Sequence, residues 1–181
     1  MQRFKNILVG VDLSQGDRFV SSELPLPSAE AVERALWLAK LNSANVSFCY
    51  TLDVSPAVQR MIENSDGGAE CVLAEARGVL GKLVARAEAE GVSADIEVHF
   101  GKSWVELIRQ VLSKKHDLVV AGTRNTGALQ GFLMGSTGIK LIRKCPCPVW
   151  ITQPQENRGI KSTLVAHDLR PVGDLAMQLA C

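Results

Sequence analysis

The sequence predicts an α/β fold, an open five-stranded parallel sheet with helices on both faces, and three observations carry that expectation. Strand and helix signals alternate from the first residues onward, the early strand is a continuous apolar run of the kind that a sheet covered on both sides requires, and 181 residues supply one hydrophobic core rather than two. The composition agrees. Hydrophobic residues make up 46% and charged residues 22%, which sets the chain apart from disordered tails and scaffolds.

Residues 7–11 form the first strand, rich in β-branched side chains and ending at Asp12. Residues 14–27 hold Gly16, two prolines and no period, so a long loop leads to Ser28, the expected N-cap of a helix with Val32, Ala35, Leu36 and Ala39 on one face. The second strand spans 46–52, and 53–68, with Pro56 and Gly67-Gly68, reads as a loop with a short helical turn. From 69 to 90 the apolar positions Leu73, Ala76, Leu80, Leu83 and Ala87 recur at helical spacing until Gly91 ends the helix. Residues 94–100 alternate as an edge strand does, with Asp95, Glu97 and His99 on its wet face rather than in a metal site. Trp104, Val105, Ile108, Val111 and Leu112 mark the next helix.

The fourth strand is 117–122, preceded by His116, which with Asp117 takes a structural role at the end of the sheet away from the strand carboxyl ends. A loop over 123–134 carries Gly127 and Gly131, and Gly135-Ser136-Thr137 opens a helix reaching Lys144. Cys145-Pro146-Cys147-Pro148 stops that helix before a fifth strand, 149–152. The three tryptophans, Trp37, Trp104 and Trp150, are expected to fill the space between sheet and helices. Lys140, Arg143 and Lys144 read as a solvated helix end that complements the dipole.

Beyond residue 153 the chain starts to resemble its own beginning. Residues 162–169 align with 6–13, matching at Leu164, Val165, Asp168 and Leu169, and Ala176 to Ala180 falls on the helix around Ala35 to Ala39. The expected organisation is a domain over 1–153, a linker over 154–161 and the truncated start of a second repeat over 162–181. The alternative is chance similarity between short apolar segments.

Twenty basic and nineteen acidic residues give a net charge of +1 with no basic patch, so nucleic acid is not an expected partner. No run approaches the about eighteen apolar residues of a membrane span, and the first six residues carry no signal core; the expected location is the cytoplasm, without a membrane partner. Cys49, Cys71, Cys145, Cys147 and Cys181 read as reduced thiols, the first two as small buried apolar residues. Cys145 and Cys147 are too close in sequence for a zinc knuckle or a two-residue-spaced redox pair, and redox sensing is the weaker reading there.

In an open parallel sheet, ligands bind beyond the strand carboxyl ends where strand order reverses. Asp12 ends the first strand there, and the loop from Gly122 leads to the helix N-terminus at Gly135, Ser136 and Thr137, whose unpaired N–H groups form an anion site suited to phosphate. The loop lacks the Lys and Ser/Thr of a Walker sequence. Asp12, a lone carboxylate, is read as a binding or turn-capping group rather than a catalytic one.

This loop resembles the nucleotide loop of the universal stress protein family, whose pattern is Gly, two residues, Gly, nine residues, Gly and then Ser or Thr. The anchor positions here are Gly122, Asn125 and Gly135-Ser136, with Asn125 standing where the family has its second glycine. Asn tolerates a left-handed backbone better than other residues with a side chain, and its side chain takes up space. The likeness extends through the opening Ile-Leu-Val-Gly-Val-Asp, Ala35-Leu36, Gly101, residues 117–122 and Cys147-Pro148-Val149.

The resemblance implies a Rossmann-like sheet of the adenine-nucleotide-binding type and ATP, with or without Mg2+, as cofactor. It implies that Asp12 meets the adenosine portion, Gly122 the ribose region, and Gly135, Ser136 and Thr137 the phosphates, with Asn125 turning the loop. The expected function is a stress-response sensor or switch with little or no hydrolysis, pairing as a homodimer through the fifth strand. The alternative is a nucleotide-free dimerisation module.

Overall fold

The computed structural model describes residues 3–15, 18–64, 68–123, 135–154, 160, 162–167 and 169–180. Its centre is β1 (Asn6–Gly10), flanked by β2 (Asn45–Leu52) and β4 (Leu118–Gly122), with β3 (Ala94–Phe100) and β5 (Val149–Thr152) at the two edges. All pairings are parallel, and Val9 lies opposite both Phe48 and Val120. The sheet has the five parallel strands that the alternation of signals predicts.

Strand alternation assigns the two faces. Ile7 and Val9 point to one side, where they pack with Phe48, Val46, Val32, Leu36 and Leu80 beneath α1 (Leu26–Asn42) and α3 (Gly68–Ala89). Leu8 points to the other, joining Val119, Leu107, Val111 and Leu141 beneath α4 (Ser103–Lys114) and α5 (Ser136–Lys144). Ile7, Leu8 and Val9 are fully buried, and each such aliphatic side chain contributes ~1.5–3 kcal/mol by leaving water.

The end of the sheet at which the strands begin is closed by side chains. Asp117 accepts the Lys5 N–H at 2.7 Å and the Asn6 N–H at 3.1 Å, while Asn42 Oδ1 accepts from the Arg3 N–H at 2.7 Å and the Phe4 N–H at 3.3 Å. These pairings confirm a structural role for Asp117. On β3, Lys114 of α4 pairs with Asp95 at 3.2 Å and with Glu97, and Glu97 lies 3.1 Å from His99 Nε2. The polar face of that strand is thus laid against a polar stripe of α4. No group of three His, Cys, Asp or Glu able to hold a metal occurs among the described residues.

Several expectations are corrected. Helix α1 begins at Leu26 after Pro25, so Ser28 is not its N-cap. Residues 53–68 contain a full helix, α2 (Pro56–Asn64), which Pro56 starts rather than breaks because its missing N–H falls where a helix has none to satisfy. Ser55 Oγ accepts the Val58 N–H at 3.3 Å there as a cap. Cys49 is buried as expected, but Cys71 is exposed on α3.

Trp104 and Trp150 are partly buried against the apolar clusters on the two faces of the sheet, as expected, and Trp37 is the exception. Trp37 is 45% exposed and meets Trp150 edge to face at 6.4 Å, and Trp104 carries Lys140 and Lys144 over its ring at 5.4 and 4.7 Å. Residues 162–167 form no strand, and the chain continues into α6 (Pro171–Ala180), a helix longer than 176–180. No described helix is long and apolar enough to cross a membrane.

His116 is 4% exposed. Burial pushes its imidazole below the ordinary 6.5, with the Asp95 carboxylate and the Asn6 backbone opposing that shift. The unfolded ring takes up a proton that the folded one resists, so this residue's contribution to stability is full above pH 6.5 and is lost as the pH falls below it. Urea unfolding of His116→Leu should lose the slope that the wild type shows as the pH falls below 6.5. Identical slopes would contradict this account.

Candidate functional site

The chain leaves β1 toward β2 on one side and later returns to β4 on the other, so the connections part above the carboxyl ends of β1 and β4. A cavity of about 520 Å³ opens there, within the size range of small-molecule sites. Its walls include Asp12, Tyr50, Gly122, Thr123, Gly135 and Thr137.

Asp12 follows β1 and is held in two ways. Ser28 Oγ accepts the Asp12 N–H at 3.0 Å and donates to the Asp12 carbonyl at 2.9 Å, pinning the backbone to the first turn of α1. The carboxylate Oδ1 accepts the Ser14 N–H at 2.9 Å and its hydroxyl at 2.5 Å, a local turn that fixes the exposed acid at the cavity mouth. The hydroxyl expected to cap α1 therefore serves the site.

Gly122 ends β4 against the start of α1. A Cβ built there would lie 2.3 Å from the Pro27 carbonyl oxygen and 2.6 Å from its carbon, closer than any side chain can stand. Only glycine lets the helix start cross the strand end at this distance. The strand end is secured from β5, where Thr152 O accepts the Thr123 N–H at 2.9 Å.

Helix α5 starts at Ser136 after Gly135, and no side chain caps it. Its first backbone bond runs from the Ile139 N–H to Gly135 O at 3.2 Å, so the N–H groups of Ser136, Thr137 and Gly138 have no partner within the helix. Gly135, Thr137 and Gly138 line the cavity, and the helix adds roughly half a positive charge at that end. Ser136 opens the helix beside them but is not a wall residue, and Asn125 lies outside the described residues.

Sequence reasoning missed the opposite wall. Phe19, Tyr50 and the β2 end at Leu52-Asp53 line it. Tyr50 is buried, and its hydroxyl donates to Phe19 O at 2.6 Å, holding the loop after β1 over the cavity. Burial, then the charges of Asp12 and Glu75, push this phenol above its ordinary range, so it stays a donor. Asp53 follows β2 as Asp12 follows β1, a parallel that could have flagged it. The described wall residues include no Lys, Arg or His, and burial pushes the Cys49 thiol up to about 12. What the cavity offers is backbone donors for an anion and carboxylates for hydroxyl or amino groups.

The comparisons agree with this architecture. A family model described as the universal stress protein family matches residues 3–153. The chain is 33% identical over 127 residues to a universal stress protein of Methanocaldococcus jannaschii, covering 70% of this chain and 75% of that protein. It is 24% identical over 178 residues to universal stress protein E of Photorhabdus laumondii, covering 93% of this chain and 52% of that protein, so it spans about half the length of that relative. Among solved structures, a universal stress protein family protein from Arabidopsis thaliana, described with AMP bound, superposes with a TM-score of 0.60 at 16% identity, over 87% of this chain and 96% of the other.

Gly122→Ala should cost about 1–3 kcal/mol in chemical denaturation, since Pro27 must move to admit the methyl group. Gly78→Ala, in α3 with nothing within 4 Å, should instead gain about 1 kcal/mol. A Gly122→Ala protein as stable as wild type would show that the crossing is not tight.

Proposed function

The chain belongs to the universal stress protein family, and on that premise we propose that it binds ATP in the crevice above β1 and β4 and acts as a stress-response sensor or switch with little or no hydrolysis. The observation that carries this reading is the cavity at the sheet's switch point, walled on one side by Asp12 and on the other by the uncapped start of α5. The relative solved with AMP supports the adenine nucleotide class.

In this reading Asp12 accepts from the adenosine portion, Gly122 clears the ribose region, and the N–H groups of Gly135, Ser136 and Thr137 receive the phosphates. Asn125 turns the intervening loop. Each charge-assisted hydrogen bond of this kind contributes about 1.5–3 kcal/mol. With Asp12 and Asp53 on the walls and no wall cation among the described residues, a triphosphate is better received with Mg2+ than bare. The cytoplasm is the compartment proposed for such a switch.

Two further parts of the reading concern assembly. The sheet ends at β5, whose outer edge has no partner strand among the described residues, and we assign pairing of two copies to Val149–Thr152. Light scattering coupled to size exclusion should read two chains, and a strict monomer would contradict the pairing. We also read 162–181 as the start of a second repeat. The match to universal stress protein E, which takes in a larger share of the chain than residues 3–153, supports that division.

Calorimetric titration tests the nucleotide reading. ATP with Mg2+ should bind, and Gly135→Trp, which fills the cavity beside the α5 N-terminus, should weaken it at least about tenfold, or 1.4 kcal/mol. Absence of heat at millimolar ATP, or an unchanged affinity in the variant, would overturn it.

A further inference from the structure

The link between α5 and β5 carries two thiols that the nucleotide reading does not use. Cys145 caps α5, its N–H donating to Leu141 O at 2.8 Å, and Cys147 stands two residues on. The sulfur atoms are 3.6 Å apart, both residues are half-buried, and both pack against the apolar cluster of Leu8, Leu107, Val119 and Leu141. Pro146 and Pro148 follow the two cysteines and restrict the backbone on either side, so the thiols meet through the course of a stiff chain. The strand side of the link is also tied down, because Pro148 O accepts the Val119 N–H at 3.0 Å.

We propose that Cys145 and Cys147 form a reactive dithiol, a modification site at which low-molecular-weight disulfides are reduced and the pair is oxidised to an internal disulfide. The Cys145 thiolate attacks one sulfur of RS–SR; the S–S bond breaks, a mixed disulfide forms on Cys145, and RS⁻ leaves with the electron pair and takes up a proton. Cys147 then loses its proton to water and attacks Cys145 Sγ, closing the protein disulfide and expelling the second RS⁻. Two protein thiols are oxidised and one small disulfide is reduced to two thiols. The sulfurs, in contact before reaction, close to about 2.05 Å in the product.

The roles follow from the contact. Either thiol can donate across this contact; with Cys147 as the donor, the hydrogen bond holds the Cys145 thiol below its ordinary range against the opposing effect of burial, while Cys147 is pushed up. Cys145 is therefore the attacking sulfur at neutral pH and Cys147 the resolving one. The contrast is Cys49 of the same cluster, buried without a thiol partner.

Oxidised glutathione is the probe. The folded wild-type chain is exposed to it, alkylated under denaturing conditions and digested with trypsin, which places both cysteines on the peptide of residues 145–158. That peptide should be lighter by two hydrogens and carry no alkyl group. Cys147→Ser keeps a hydroxyl donor but no resolving sulfur, and should accumulate the glutathione adduct on Cys145 at least about tenfold faster than Cys145→Ser does on Cys147. A doubly alkylated peptide from a sample in which exposed Cys71 has taken up glutathione would overturn the proposal. So would disulfides between chains instead of within the peptide, or an adduct that prefers Cys147. The wild-type peptide decides the matter even where a variant folds poorly.

Discussion

The structure depends on one close approach, the crossing of the α1 start over the end of β4. With the Pro27 carbonyl 2.3 Å from where a Gly122 Cβ would stand, the helix can sit over the strand only because that side chain is absent. One residue later, Ser28 grips the Asp12 backbone through both its donor and its acceptor capacity. Helix, central strand and neighbouring strand are thereby fixed against one another at the place where the sheet's connections part. The α5 N-terminus and the Tyr50 wall are set around that junction.

The two ends of the sheet are built for different tasks. Where the strands begin, Asp117 and Asn42 consume the backbone donors of residues 3–6, so polar groups are spent on stability. Where the strands end, the first-turn donors of α5 have no partner in their own helix, and the carboxylates of Asp12 and Asp53 line open space. A free helix start costs solvation that water or an anion must supply. That difference, rather than any single residue, fits the carboxyl end to receive a ligand.

Strands and long helices were legible because their signals are local. Residues 94–100 alternate, 69–90 keep a helical period, and Gly91 adopts φ 78 where the helix stops. Asp12, Gly122, Gly135 and Thr137 were legible as neighbours from the switch-point rule, which needs only strand order. Features set by tertiary choice were not. Ser28 carries the chemistry of a cap but bonds across to β1, and Pro56 starts a helix because Ser55 precedes it. Trp37 stays half-exposed on α1, where it meets Trp150 of β5 edge to face. Residues 162–167 repeat the apolar pattern of β1 but form no strand.

The most direct test of the central claim, that the crevice above β1 and β4 holds an adenine nucleotide, is an amide-resolved NMR titration of the protein with ATP and Mg2+. The account predicts shifts concentrated at residues 11–14, 122–123 and 135–138, with the amides of Asn45, His116 and Asp117 at the far end of the sheet unmoved. Shifts centred on the far end, or none at millimolar nucleotide, would contradict it.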